Sequence, residues 1–354
     1  MAHPDRIALA RKRRGLTKKA LAERLGVAPL TLTRHEQGAT EPSPRFVERL
    51  ATELGFPTAF FDGPDADEPT KEGASFRSMS SMLARERDAA LAAGAFAFML
   101  SDWVDERFEL PAPDLLDLSG ETPAAAARML REHWALGESP IRKNLTGLLE
   151  AKGVRVFTLA EQTRNVDAFS LWRRERPFVF LNTGKSAEHS RFDAAHELAH
   201  LVLHRHGSSE GREAENEAQA FASSFLMPSA DVVATLPRVR SINQMIEMKK
   251  RWGVSVAALN YRLHKLRITS DWQYRTFCIE IAKRGFRERE PAGMAREPSI
   301  VWEKVLRSLW QEGTTREKLA EELALPTDEI TNLLFGLADR GPLDVRSDHR
   351  LRVV

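Results

Sequence analysis

At 354 residues the chain is too long for one compact core and predicts two or three domains. Its 42% hydrophobic and 29% charged residues are those of an ordinary globular protein and exclude intrinsic disorder. A single cysteine, Cys278, excludes an internal disulfide framework and a cysteine-rich zinc cluster. The start of the chain lacks the apolar core of a signal peptide, and the longest apolar stretch, 89–100, is far too short for a bilayer. The expected location is therefore the cytoplasm, with no membrane partner.

Net charge is only +2, but it is unevenly spread. Residues 1–60 carry eleven Lys and Arg against six Asp and Glu, which favours a polyanion partner for this segment. Residues 1–62 read as short helices with tight turns. Thr17 can cap a first helix whose Ala20, Leu21 and Leu25 face inward, Gly26 permits a tight turn, and Pro29 opens a second helix reaching Gln37. On that second helix Leu32 faces the core, while Thr31, Thr33 and Arg34 point outward, where a recognition helix meets the major groove. Lys18 and Lys19 lie at the first helix's start, suited to phosphates. The segment 6–61 resembles the XRE (Cro/cI-like) helix-turn-helix family through Leu16-Thr17, Leu21-Ala22, Leu25-Gly26-Val27, Arg34-His35-Glu36-Gln37-Gly38 and Pro42-Ser43-Pro44. That resemblance implies double-stranded DNA as a partner.

Residues 63–78, turn-rich and acidic, are expected to be a linker. Helical periodicity runs from about Met79 to Phe108 and stops at Pro111. Thr122-Pro123 opens another helix, and Leu145–Lys152 is a third with Gly153 as its cap. Strands are expected at Val154–Phe157, Phe169–Trp172 and Phe178–Leu181, and then two long helices at about 189–206 and 211–226.

The first of these helices carries His196-Glu197-Leu198-Ala199-His200. Spacing i, i+4 places both imidazoles on one face, where they can share a Zn²⁺, and Glu197 can act as general base on the activated water. Phe192, Ala195, Leu198, Ala199, Leu201, Val202 and Leu203 make this helix apolar nearly all round. It is therefore buried, and buried imidazoles need partners. The following helix offers Glu213, Glu215 and Glu217. Glu215 shares the inward face with Ala218, Ala222 and Phe225, Glu217 is second choice, and His204 and His206 are expected outside the ligand set. The strand ending at Asn182 is expected to offer an edge to an extended peptide.

This stretch resembles the ImmA/IrrE family of zinc metallopeptidases over about residues 80–265. The matching text is Phe178–Asn182, Arg191–His204 and Glu215–Pro228, with Gln219 where the family tends to have Asn. The resemblance implies His196, His200 and Glu215 as zinc ligands, Glu197 as base, and limited cleavage of a repressor-type protein in stress or mobile-element control.

Residues 269–298 are expected to connect to a small winged-helix-like module at 299–354, with three helices and a hairpin at Leu343–Val354. Asp328 and Glu329 at the start of its candidate recognition helix would repel phosphate, so partner binding or dimerisation is expected there instead. Cys278 and the tryptophans are expected in the core.

The fold class is thus multidomain, mainly α with a small β-sheet. It comprises a helix-turn-helix bundle (1–62), a linker (63–78), a central α+β zincin-like metallopeptidase domain (79–268), a connector and the C-terminal module. The function expected is that of a DNA-binding transcriptional regulator with a zinc endopeptidase-type site acting on a protein substrate such as an XRE-type repressor or a toxin, with homodimerisation open. The alternative is a non-cleaving, antitoxin-like regulator whose peptidase fold serves sensing or dimerisation.

Overall fold

The structure, a computed structural model, describes residues 2–71, 73–76, 83–142, 144–159, 167–206, 211–334 and 336–337. The hairpin expected at Leu343–Val354 lies outside them, as does the helix start expected at Met79.

Five helices open the chain: α1 (Pro4–Arg13), α2 (Lys18–Leu25), α3 (Pro29–Glu36), α4 (Pro44–Leu54) and α5 (Thr58–Phe61). Local chemistry sets their ends. The Thr17 hydroxyl accepts from the Ala20 amide, and Gly26 takes the left-handed conformation (φ 62°) that turns α2 into α3. The long helix α6 (Ala84–Asp105) follows, and Phe96 on it meets Phe56 and Phe60 at ring-centroid distances of 5.8 Å. The five-helix bundle therefore shares its apolar core with α6.

Within the segment expected as a linker, 63–78, the residues around 67–69 pack against the rest of the protein. Glu68 pairs with Lys12, Asp67 pairs with Arg173, and Pro69 lies so close to Gly94 that a Cβ there would come within 2.6 Å of it. Ser75–Phe76 then forms a strand, β1, of the sheet. Its partners are β2 (Arg155–Thr158), β3 (Ala168–Arg173) and β4 (Arg176–Leu181), in the order β1-β3-β4-β2; β2 runs parallel to β4 and the other pairs are antiparallel. The tight β3–β4 turn puts Arg174 and Glu175 at positive φ (47° and 63°), the backbone twist that two-residue hairpins need. The expectation that the strand before Asn182 offers an open edge fails, because β4 is flanked on both sides.

The sheet divides two cores by the alternation of its side chains. Phe157, Phe169, Leu171, Phe178 and Phe180 face α6 and the C-terminal helices, with Phe169 and Phe180 stacked at 4.3 Å. Val156, Ala168, Val179 and Leu181 face the other core. That core holds α7 (Pro123–His133), α8 (Leu145–Ala151), α9 (Ala187–Leu203), α10 (Arg212–Leu226) and α13 (Val256–Lys265). Burial on both faces explains why these strands read as nearly continuous apolar runs. Helices α11 (Ser229–Thr235), α12 (Ile242–Met248) and α14 (Asp271–Lys283) complete this half, so the expected connector contains a helix. Gly153 after α8 sits at φ +78°, and a Cβ there would lie 2.4 Å from the Ala112 carbonyl. Gly153→Ala is expected to cost about 3 kcal/mol, read as a lower urea midpoint.

Helices α15 (Ile300–Gln311), α16 (Arg316–Glu322) and α17 (Thr327–Leu334) form the described part of the C-terminal module. Of its acidic start, Asp328 is exposed and Glu329 is not. The fully buried Glu329 carboxylate accepts from Arg13 Nε and Arg14 Nη1, each at 2.7 Å, and ties α17 to α1. Four tryptophans are buried as expected, but Trp272 and Trp310 are exposed and Cys278 is only half-buried. Among the described residues no helix is long and apolar enough to cross a membrane.

Candidate metal centre

Helices α9 and α10 pack side by side, and their facing surfaces bring three donors together. His196 Nε2 and His200 Nε2 lie 3.2 Å apart, Glu215 Oε2 lies 3.3 Å from the first, and Glu215 Oε1 lies 3.4 Å from the second. Zinc bonds of 2.0–2.1 Å at tetrahedral angles place neighbouring ligand atoms roughly 3.3 Å apart, so each of the three contacts has the spacing that one ion requires, with one Glu215 oxygen turned to each imidazole. Both imidazoles are buried, at 1% and 4% exposure, where two nitrogens and a carboxylate are costly without a shared partner. The donor set fits zinc. Burial alone would raise the Glu215 carboxyl, but the two histidines outweigh it and hold it at about 2.

Beyond the triangle, His204 steadies one ligand. Its Nδ1 lies 3.0 Å from His200 Nδ1, and its Nε2 lies 2.9 Å from Glu217 Oε2. Glu217 is thus the anchor of His204, not a ligand, and His206 reaches away to Asp117. Groups that orient a ligand imidazole typically contribute 10–100-fold to metal affinity. His204→Ala is therefore expected to weaken zinc about 10–100-fold in a chelator competition, while the fold survives.

Glu197 is fully buried beside the triangle. Its Oε2 accepts from Ser170 Oγ at 2.7 Å and Ser75 Oγ at 3.0 Å, and Oε1 is buried with no hydrogen-bond partner among the described residues. Burial pushes its carboxyl up to about 8 against the two hydroxyls, with Asp193 and Glu215 adding to the rise. A divalent ion in the triangle would pull it back down. Neither serine was singled out from the sequence. Ser170 left a trace, as the one hydroxyl in the apolar run Phe169-Ser170-Leu171-Trp172. Ser75 left none, since it fell within the presumed linker.

At the other end of the molecule, α2 and α3 form the helix-turn-helix. Lys19 and Arg34 are exposed. Lys18 reaches Glu36 at 3.3 Å, and Thr33 donates back to the Pro29 carbonyl at 3.0 Å while Thr31 stands half-buried. Part of the positive excess is met from outside the segment: Lys12 pairs with Glu68, and Arg13 and Arg14 share Glu329. The surface of this domain is correspondingly less cationic than composition suggests.

A bundle of this kind joined to a buried HExxH helix with a glutamate from the next helix defines a protein with a DNA-binding domain and a metallopeptidase-like domain. Comparison with family models agrees. Residues 5–60 match a helix-turn-helix domain, and residues 149–264 match Peptidase_M78, the IrrE N-terminal-like domain. The chain thus carries a helix-turn-helix domain at its N-terminus and an IrrE N-terminal-like peptidase domain in its centre. No curated protein matches it.

Proposed function

We propose that the chain is a transcriptional regulator whose central domain is a zinc-dependent endopeptidase making limited cuts in a protein partner of the repressor type. The carrying observation is the three-donor triangle of His196, His200 and Glu215 beside a buried carboxylate. Zinc held there would polarise a peptide carbonyl and lower the pKa of water. Glu197 takes the proton from the attacking water and passes it to the departing amine nitrogen as the C–N bond breaks. A cavity of about 380 Å³ lies next along the α9–α10 crevice, lined by Asp193, Gln219, Tyr261, Tyr274 and Phe286, and suits a substrate side chain. The test is zinc analysis followed by incubation of the loaded protein with repressor-type proteins. One ion per chain and discrete fragments support the reading; a wild type that takes up no zinc overturns it.

The helix-turn-helix supplies the second half of the reading, with α3 in the major groove and Lys18 and Lys19 towards phosphates. Arg34→Ala is expected to weaken binding to the target duplex about ten-fold and to lower the salt slope by roughly one. A gel-shift series over rising salt reads both. One observation favours the rival, a regulator that does not cleave: both serine hydroxyls hold Glu197 Oε2, which leaves only Oε1 for a base's work.

A further inference from the structure

That engagement has a geometric origin. The outer edge of β3 is the sheet edge that borders α9, and β1 covers it. Ser75 stands opposite Ser170, and Phe76 opposite Phe169. Ser170 belongs to the α9 side of the sheet, so the register puts the Ser75 hydroxyl on that side too, 3.0 Å from Glu197 Oε2 and from Ser170 Oγ. An extended strand added antiparallel to an edge, with a side chain on Glu197, is the arrangement by which a peptide backbone adds to a sheet.

We propose that the β3 edge is the peptide-docking strand of the metal centre, and that Ala74–Phe76 fill it as an internal ligand which a target peptide must displace. The proposal rests on the peptidase reading of the site. It also defines the peptide: extended, antiparallel to β3, with a small side chain opposite Ser170. Ala74 and Ser75, at 0% and 2% exposure, are the small residues that the closed space admits. Displacement is within reach because the pairing is only two residues long, whereas strands in stable sheets usually run five or six. Glu68 and Asp67, a few residues before β1 in sequence, pair with Lys12 of the helix-turn-helix domain and with Arg173 of β3, so cleft occupancy and the position of the DNA-binding domain are mechanically joined.

The experiment uses the full-length, metal-free chain and a fluorescein-labelled peptide of residues 71–78. Ser75→Asp forces a larger, charged side chain into the closed space that Ser75 fills at 2% exposure, and should expel β1. Expected are at least ten-fold tighter peptide binding than to wild type by anisotropy, and at least ten-fold faster amide exchange across residues 168–173, reversed by the peptide. Should that variant not fold, the chain with Ala74→Gly, Ser75→Gly and Phe76→Gly serves in its place. Exchange that stays as slow as in wild type, or an exposed edge that ignores the peptide, overturns the proposal. Because binding is read without zinc, the two readings part cleanly. Peptide that docks but is never cut once zinc is added leaves the docking edge standing and removes the peptidase.

Discussion

Loaded with zinc, Glu197→Gln protein is expected to hold one ion per chain, as wild type does, and to cut a protein substrate at least about a hundred-fold more slowly. The first half follows from the ligand geometry. The three donors are His196, His200 and Glu215, and Glu197 is outside the triangle, anchored by Ser170 and Ser75. Glutamine keeps the shape and still offers a carbonyl oxygen to both hydroxyls, so the helix has no reason to shift. The second half follows from the lost base, since a positioned proton acceptor typically contributes 10²–10⁴-fold. Metal analysis and a time course on one batch of protein read both. Undiminished cutting would remove Glu197 from the chemistry, and lost zinc would mean that the ligand set is wrong.

Glu329→Gln is expected to destabilise the protein by about 3–5 kcal/mol. Arg13 is 1% exposed, and Glu329 is its charged partner at 2.7 Å; neutralising the acid leaves a guanidinium buried without compensation. Arg14, held by the second oxygen and stacked at 4.8 Å over Phe56, loosens with it. The loss should appear as a lower urea midpoint. Arg13→Met combined with Glu329→Met should recover most of it, because removing both charges also removes the desolvation cost. A double variant no better than the single one would show that the pair matters for shape and not for charge.

What the sequence discloses and what it withholds divide along physical lines. Local rules carry the helix-turn-helix and the metal ligands. Thr17, Gly26 and Pro29 set helix ends through neighbours a few residues away. Likewise i, i+4 spacing and the apolar stripe of α10 put His196, His200 and Glu215 on facing surfaces. The packing of Asp67, Glu68 and Pro69 inside the expected linker was not legible, because their contacts, Arg173, Lys12 and Gly94, come from three distant places and leave no periodic mark. Ser75 is hidden for the same reason: it acts on Glu197 from 122 positions away. The acidic start of α17 was legible as unsuited to phosphate, but its partners are 315 and 316 residues distant, and composition cannot reveal them. For the same reason the basic excess of residues 1–60 overstates what remains for DNA.

The Arg13–Glu329 tie has a bearing on how the protein is made. A ribosome that has released α1–α6 has supplied the bundle and the helix whose core it shares, yet Arg13 still lacks its counter-charge. That arrives only after nearly the whole chain has been translated. The N-terminal bundle therefore gains its full set of contacts only after the central domain has been translated.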